Sequence, residues 1–365
     1  MNIPPILLTP HDQQPDPGEF VRATMRWHFS PETGSPFWLE RAPSLDFDPL
    51  RDIREYADLQ RFPDLTGDLR TARVEDLIPR GLGRSPEIIG IYESGGTTGG
   101  PKRVVLMQLW LDQLLAWSSD QLDRHGIPQG VNWLNAVPTG PHMVGEVIAR
   151  QAARRGGLSF SVDLDPRWVK HLISSGDREG AGRYAEHLVD QLGYVLESQD
   201  VGVLMITPPV LERLTRRDDL VKLVREKVRA INWVGTHMDA DTRDLYRQEI
   251  FPEVVLYSGY GSTMILGNAG ERPGLGDDDP CVYDPFSPYF TLSVVDPHTG
   301  RPVAHGERGQ VIMHHLSACA LLPNNRERDS AIRIPALPGQ LGDSVADVAP
   351  LTQEDGGQDV VEGVY

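Results

Sequence analysis

A run of glycine, serine and threonine residues that ends in a lysine carries the strongest chemical signal in the sequence. It reads YESGGTTGGPK over residues 92–102. Glycine lets backbone amides approach an anion closely, hydroxyl groups add donors, and a terminal lysine supplies a point charge for a phosphate. The residues expected to form this phosphate site are Ser94, Gly95, Gly96, Thr97, Thr98, Gly99 and Lys102.

This loop is not a Walker A loop. That motif requires lysine between glycine and serine or threonine. Here Pro101 precedes Lys102 and Arg103 follows it. A flexible glycine-rich turn without a ligand is the alternative interpretation.

Apolar runs alternate with amphipathic stretches along the part of the chain that would position this loop. The runs that predict strands lie at residues 88–92, 104–106, 132–137, 158–162, 201–206, 230–234 and 254–257. Helix patterns between most of them, joined by short loops, are typical of a doubly wound parallel sheet. Because ligands bind such sheets at the carboxyl ends of the strands, the loops that follow strands should hold the site.

The chain of 365 residues is long enough for two to three compact units, at about 150 residues each. We expect a wrapping segment over residues 1–85, α/β lobes over 86–268, and an antiparallel β region with a tail over 269–365. Alternation at residues 290–295 and 310–314 predicts the antiparallel strands. The predicted fold class is α/β, with two doubly wound parallel-sheet lobes and a small antiparallel β region.

Two segments show little periodicity. The first 85 residues contain only short helix patterns, at 50–59 and 68–77. Residues from 322 onward are polar and are expected to be rich in loops, and the acidic end of the chain is expected to fray.

Further motifs accompany the loop, and together they resemble the adenylate-forming superfamily of acyl-CoA synthetases, adenylation domains and luciferases. The loop at residues 94–102 is most similar to that of the phenylacetate-CoA ligase branch. The other similar motifs are DLTGDL at 64–69, the loop at 138–145, Gly-Thr at 235–236, SGYGST at 258–263 and GERGQ at 306–310. Their order and spacing are more specific than any one motif. The resemblance implies the fold of the large N-terminal domain of these enzymes and the ATP-dependent formation of an acyl-AMP.

The resemblance implies a role for each matching residue. Lys102, Thr98 and His142 would be catalytic, and Thr263 would join the phosphate-binding set. Adenosine would be held by Gly235, Thr236, Ser258, Gly259, Tyr260, Gly261 and Asp329. In this arrangement the tyrosine stacks on adenine and the aspartate accepts hydrogen bonds from the ribose. The carboxylic acid would lie against His142, Gly145, Gly235 and Met264.

The sequence departs from the family pattern at the metal and ribose positions. The resemblance implies Mg²⁺, but the glutamate that ligates it in the family is Met264 here, and a thioether is a poor ligand for a hard cation. The aspartates at residues 277–279 could replace that charge, or could form a solvated acidic loop. Asp329, in RERD at 326–329, is the best match to the ribose aspartate, and Asp343 is the second candidate.

Lysine is scarce, and this bears on a third departure. The lysines are Lys102, Lys170, Lys222 and Lys227, among 35 basic residues. The family's small C-terminal domain carries a catalytic lysine, and we expect that domain to be missing from this chain. Arginine does not substitute simply for lysine in that role.

Composition narrows the classes of partner. The net charge of −17 argues against nucleic acid and against anionic lipid surfaces. The N-terminus lacks the pattern of a signal peptide, and no apolar run is long enough to span a membrane. With only two cysteines, a reduced cytoplasmic protein is expected.

Several histidines and tryptophans have weaker chemical signals. His237, His314 and His315 are expected to be structural more often than bases or ligands, and alternation should turn one of the adjacent pair inward and the other outward. The tryptophans expected in the core are Trp110, Trp117, Trp133 and Trp233, of which a pair could line an aromatic pocket.

The resemblance implies a substrate and partners. The expected function is activation of an aromatic carboxylate by ATP, in particular a phenazine carboxylic acid, for reduction or transfer by a separate reductase or acyl acceptor protein. A homodimer is possible. The alternative is a non-catalytic protein that binds a nucleotide or an aromatic acid but has lost the chemistry, which Met264 and the missing lysine would permit.

Overall fold

The computed structural model describes residues 2–65, 67–94, 100–276 and 280–351. They form two compact units. Unit 1 comprises Met1–Trp117, Gly261–Gly270 and Val282–Leu351 within those ranges, and unit 2 comprises Ser118–Tyr260 and Glu271–Cys281.

The helices and strands follow one another with short connections over most of the described chain. The α-helices are α1 Pro17–Phe29, α2 Pro36–Arg41, α3 Pro49–Asp52, α4 Gln108–Arg124, α5 Met143–Arg154, α6 Pro166–Ser174, α7 Arg178–Ser198, α8 Pro208–Leu214, α9 Asp218–Lys227 and α10 Ala240–Leu245. The strands are β1 Ile88–Ser94, β2 Lys102–Met107, β3 Trp133–Ala136, β4 Ser159–Ser161, β5 Val203–Ile206, β6 Ala230–Trp233, β7 Val255–Ser262, β8 Gly267–Glu271, β9 Val282–Pro285, β10 Phe290–Val295, β11 Arg308–Leu316, β12 Leu321–Ile334 and β13 Ser344–Pro350.

Unit 2 contains a parallel sheet in the order β4-β3-β5-β6-β7. The residues of β3, β5 and β6 are all buried, as is typical of strands covered on both faces. The register pairs Ile206 with Trp233 and Trp233 with Ser258, so the carboxyl ends of β5, β6 and β7 meet at one edge. The parallel sheet predicted from the alternating pattern is confirmed.

Unit 1 contains antiparallel strands in the order β10-β11-β12-β13-β9 and a separate hairpin of β1 and β2. The α/β class and the antiparallel region are confirmed. The parallel strands form one sheet, in unit 2, because the strands of unit 1 pair antiparallel. The prediction of loops after residue 322 is wrong, since β12 continues to Ile334 and pairs with a neighbour on each side.

The N-terminal segment belongs to unit 1 and is fixed to its antiparallel strands by buried tryptophans. Trp27 Nε1 donates to Ala318 O at 2.9 Å, and Trp38 Nε1 donates to Leu321 O at 3.0 Å. Helix α1 begins where Asp16 accepts a hydrogen bond from Glu19 N at 2.7 Å, an ordinary N-cap. The helix patterns at 50–59 and 68–77 become the short α3 and 3₁₀ turns.

Candidate nucleotide site

The β1–β2 hairpin brackets the glycine-rich loop. Ser94, the last residue of β1, is the register partner of Lys102, the first residue of β2. One residue further from the loop, Arg103 Nε and Glu93 Oε1 form an ion pair at 3.0 Å. The hairpin therefore fixes both ends of the loop. The intervening candidates lie outside the described residues: Gly95, Gly96, Thr97, Thr98 and Gly99.

Lys102 is half-buried and lies among charges of both signs. Burial lowers the pKa of its ammonium below the usual value, while the carboxylates of Glu327 and Asp64 raise it and the guanidinium groups of Arg328 and Arg70 lower it. A partly desolvated cation at the end of the hairpin is suited to a phosphate, because a Coulomb interaction strengthens as water is removed.

Three polar residues of β12, Asn325, Glu327 and Asp329, alternate along the strand beside this lysine. Asn325 Nδ2 donates to Glu327 Oε1 at 2.6 Å, and Glu327 also accepts from Ser262. Burial, followed by repulsion from Asp329, raises the pKa of Glu327 to about 7, although Lys102, Ser262 and Asn325 oppose the shift. The phosphate-loop lysine and the predicted ribose aspartate thus belong to one cluster in unit 1.

The strand that carries this cluster is irregular at this point. On β11 the register moves from Gln310 to Ile312, whereas on β12 it moves from Ser330 to Arg326, so β12 has two extra residues there. Gln310 Nε2 donates to Glu327 O at 2.9 Å and holds the extra residues in place. Bulges of this kind re-aim side chains and recur beside active sites.

Residues 261–264 cover the last residues of β7 and the start of the turn after it, and Ser262 reaches the same cluster. A Cβ at Gly261 would lie 2.4 Å from Gly267 O, so only glycine fits there. Thr263, which the resemblance predicts to bind phosphate, begins a 3₁₀ turn and is half-buried.

Met264 is 1% exposed and belongs to the core, so this position does not fit Mg²⁺. In the part of the chain that the structure describes, no group of three or more histidine, cysteine or acidic residues could hold a metal. The aspartates at 277–279 lie outside the described residues.

Asp343, the second candidate for the ribose, is engaged elsewhere. Its Oδ1 accepts from Arg333 Nε at 2.9 Å and its Oδ2 accepts from Val294 N at 3.1 Å. These bonds join β10, β12 and the start of β13, which is a structural role. Asp329 is the aspartate that lies with Lys102 and Glu327.

In unit 2, two of the residues predicted for the acid pocket lie at the start of α5, where it follows the loop after β3. His142 is half-buried at the N-terminal end of α5. Gly145, in the first turn of that helix, is buried, and a Cβ there would lie 2.6 Å from Pro138 O. The glycine therefore lets α5 approach the loop that follows β3.

The predicted adenosine residues of unit 2 lie after β6 and on β7. Gly235 has a φ of +94° and is exposed. Thr236 follows it, and its Oγ1 is buried without a hydrogen-bond partner among the described residues. Strands β6 and β7 are parallel, and Trp233 is paired with Ser258. Gly235 and Tyr260 each follow that pair by the same number of residues along the chain. Tyr260 and Gly259 are half-buried.

Glu271 braces β7 just before Tyr260. It is 6% exposed, its Oε1 accepts from Arg247 Nη2 at 3.1 Å, and its Oε2 accepts from Ser258 N at 2.9 Å. A carboxyl group held by a guanidinium and a backbone amide fixes the course of the strand.

Two buried asparagines of the parallel sheet in unit 2 were not predicted as functional residues from the sequence. Asn135 on β3 and Asn232 on β6 both pair in register with Met205 on β5, so they share a face of the sheet. Both Oδ1 atoms are buried without a hydrogen-bond partner in the described ranges. Water or a ligand group with donors would satisfy them.

Of the histidines and tryptophans with weaker chemical signals, all but His237 lie in the core. Both His314 and His315 are fully buried. The prediction that one of them faces outward is wrong, because the N-terminal segment covers one face of β11. Tyr56 stacks edge-on against His314, while His315 Nδ1 bonds Ile265 O at 2.7 Å. Exposed His237 lies near Asp239 at the start of α10. The tryptophans predicted for the core are buried: Trp110, Trp117, Trp133 and Trp233.

Solved structures of an adenylating ligase share this fold. The structure of 2-hydroxyisobutyryl-CoA ligase in the postadenylation state with 2-HIB-AMP has a TM-score of 0.62 and 14% identity, over 90% of this chain and 65% of that one. The structure of the same state with R3-HIB-AMP has a TM-score of 0.63 and 13% identity, over 92% of this chain and 67% of that one. An open conformation of the ligase with 2-HIB-AMP and CoA has a TM-score of 0.61 and 14% identity, over 90% of this chain and 72% of that one.

The chain spans about two thirds of the length of these ligases, and the likeness is one of fold. No protein-family model matches the chain, and no curated protein matches it in sequence. Among the described residues, none of the helices has the length and apolar character needed to cross a membrane.

Proposed function

We propose that this protein binds ATP and activates a carboxylic acid as its acyl-AMP. The observation that carries the proposal is the cluster at the end of the β1–β2 hairpin, where half-buried Lys102 lies with Ser262, Glu327 and Asp329. A lysine at the end of a glycine-rich loop suits a polyphosphate, and an aspartate beside it suits a vicinal diol. The fold shared with an adenylating ligase supports the proposal.

The chemistry asked of the chain is positioning and charge neutralisation. An oxygen of the substrate carboxylate attacks the α-phosphorus of ATP, the bond to the bridging oxygen breaks, and pyrophosphate leaves with that electron pair. Lys102 offsets the charge on the phosphates and Asp329 accepts from the ribose, and the resemblance of SGYGST at 258–263 assigns Tyr260 to adenine. The protein forms no covalent bond, so the rate gain comes from orientation and fixed charges.

The substrate is proposed to be an aromatic carboxylate, with a phenazine carboxylic acid as the specific candidate. His142 and Gly145, at the start of α5, are the residues proposed to contact it. The acyl-AMP would then pass to a separate reductase or acyl acceptor protein. His142 and Gly145 are assigned by the motif resemblance of the loop at residues 138–145, whereas the substrate and the acceptor rest on the family resemblance alone.

Exchange of labelled pyrophosphate into ATP, measured with a panel of aromatic and fatty acids, tests the proposal. We expect exchange only in the presence of the cognate acid. Lys102→Ala should lower it about 100-fold or more, as loss of a charge-stabilising group does, and Tyr260→Ala should chiefly raise the KM for ATP. Lys222→Ala is the matched control, because its side chain is 76% exposed.

A second candidate is a non-catalytic protein that binds the nucleotide or the acid. The buried thioether of Met264, where the resemblance implies a metal ligand, favours it. Binding of ATP or of an acid, with no exchange for any acid in the panel, would contradict the enzyme and support this candidate.

A further inference from the structure

Arg243, on α10 in unit 2, is a buried guanidinium group without a counterion among the described residues. It is 4% exposed, and its Nε is buried with no hydrogen-bond partner in the described ranges. One turn later, Arg247 is paired with Glu271 at 3.1 Å, whereas none of the described carboxylates forms an ion pair with Arg243. Because charged side chains are almost never fully buried unless they are paired, this arginine indicates a place where an anion binds.

Two further hydrogen-bond donors near the start of α10 are buried and unpaired. Trp233 is the last residue of β6, and Thr236 lies in the connection between β6 and α10. Trp233 Nε1 and Thr236 Oγ1 have no hydrogen-bond partner in the part of the chain that the structure describes. An indole N–H only donates, and a hydroxyl can donate. Three donors, one of them charged, therefore lie within residues 233–243.

The topology of the parallel sheet turns Trp233 toward α10. The strand order β4-β3-β5-β6-β7 means that the chain moves one way from β3 to β4 and the opposite way from β5 to β7. Right-handed crossovers therefore place α5 on one face of the sheet and α10 on the other. Residues of α4 and α5 pack in one cluster with Met205 and Tyr257, the register partners of Asn232. Asn232 thus faces α5, and Trp233, the next residue of the strand, faces α10.

The side chain of Arg243 extends back toward the same place. Long helical side chains lean over the preceding turn, and α10 begins at the carboxyl end of β6. Tyr246, three residues later on the same helix face, is also buried, so this face is turned toward the protein. Asp244 Oδ1 is buried and unpaired among the described residues, but adjacent helical residues point about 100° apart. Asp244 therefore does not neutralise Arg243.

We propose that Arg243, with Trp233 Nε1 and Thr236 Oγ1, binds an oxyanion, a carboxylate or a phosphate group, at the carboxyl end of β6. A guanidinium presents parallel N–H donors that match two oxygens of such a group. Water would satisfy the indole and the hydroxyl but would leave the charge uncompensated. The oxyanion is a free ion, a phosphate group of the nucleotide or an acidic group of the substrate. The inference goes beyond the proposed function, because binding of a free ion requires no adenylation.

Calorimetric titration with inorganic phosphate, ATP and benzene-1,4-dicarboxylate tests the site and distinguishes the three sources. We expect at least one of them to bind the wild type and to bind Arg243→Met about tenfold or more weakly, as loss of a charged hydrogen bond does. Arg243→Lys keeps the charge without the fork and should be intermediate. Arg216→Met, at a side chain that is 61% exposed, is the matched control. Equal affinities of the wild type and Arg243→Met, or no binding to the wild type, overturn the inference. Binding of phosphate alone would support it and contradict the proposed function.

Thermal unfolding in Tris chloride, without an oxyanion, tests whether Arg243 lacks a counterion within the protein. Arg243→Met should melt at the same temperature as the wild type or higher, because it removes an unpaired buried charge. Arg247→Met should melt lower, because it leaves Glu271 without its guanidinium. The oxyanion that binds should raise the melting temperature of the wild type and not that of Arg243→Met. Lower melting of Arg243→Met than of the wild type without an oxyanion, or its failure to fold, would contradict the inference.

Discussion

Met264 shows, at the scale of one residue, how burial separates a structural side chain from a ligand. It occupies the position where the motif resemblance implies a metal-binding glutamate, yet it is 1% exposed. We predict that Met264→Glu does not create a metal site. It should instead lower the free energy of unfolding by about 3 kcal/mol or more, because it buries a carboxyl group without a partner. Urea denaturation with and without Mg²⁺ measures both effects.

Met264→Leu is the control for packing and should cost less than about 1.5 kcal/mol, since it nearly conserves volume. Stabilisation of Met264→Glu by Mg²⁺ would contradict the assignment of this position to the core.

The residues that sequence alone could indicate are those with a local motif. Lys102 ends a glycine-rich loop, and Asp329 ends RERD, so each is visible without a fold. Glu327 is two residues before Asp329 in the same motif, but its importance depends on the irregular pairing of β11 and β12 and on Ser262, 65 positions earlier in the chain. No local pattern encodes such contacts, and a polar segment there resembles a loop.

At the scale of elements, the contact of α5 with the loop after β3 depends on the absence of a side chain at Gly145. A methyl group there would meet Pro138 O at 2.6 Å. We predict that Gly145→Ala displaces the start of α5, costs about 1–3 kcal/mol as other overpacked sites do, and raises the KM for the acid. Chemical denaturation and exchange kinetics check the two effects.

Gly182, within α7, is the matched control because a Cβ there meets nothing within 4 Å. Gly182→Ala should stabilise the protein by about 0.5–1 kcal/mol through helix propensity. Similar effects of the two substitutions would show that the close approach at Gly145 has no energetic consequence.

Strand and helix patterns predicted the elements of unit 2 well and those of unit 1 less well. In unit 2 each buried strand is a short apolar run, such as β5 Val203–Ile206, so periodicity and composition agree. In unit 1, β12 Leu321–Ile334 contains asparagine, arginine and glutamate at its centre, and two neighbouring strands supply its hydrogen bonds. Pairing with distant segments overrides local polarity there, which a single sequence does not reveal.

At the scale of the molecule, three fully buried histidines of unit 1 join the N-terminal segment and the antiparallel strands. His28 Nε2 bonds Ser317 O at 2.8 Å, and His315 Nε2 bonds Ser317 Oγ at 2.7 Å. His314 Nδ1 accepts from Asn324 N at 2.9 Å. Burial lowers the pKa of His28 to about 4 and those of His314 and His315 to about 3. All three are therefore neutral in the folded protein near neutral pH.

These histidines predict a loss of stability in mild acid. Their folded pKa values lie below the unfolded value of 6.5, so below pH 6.5 the unfolded chain binds protons that the folded chain does not. Each contributes a slope of up to about 1.4 kcal/mol per pH unit. We expect the stability of β11 against urea to fall steeply between pH 6.5 and 5. Hydrogen exchange of the β11 amides measures this stability. His28→Gln should reduce the slope of stability against pH by the share of one histidine, up to about 1.4 kcal/mol per pH unit. The exposed His305→Gln should leave the slope unchanged. A flat profile over this range would contradict neutral burial of the three imidazoles.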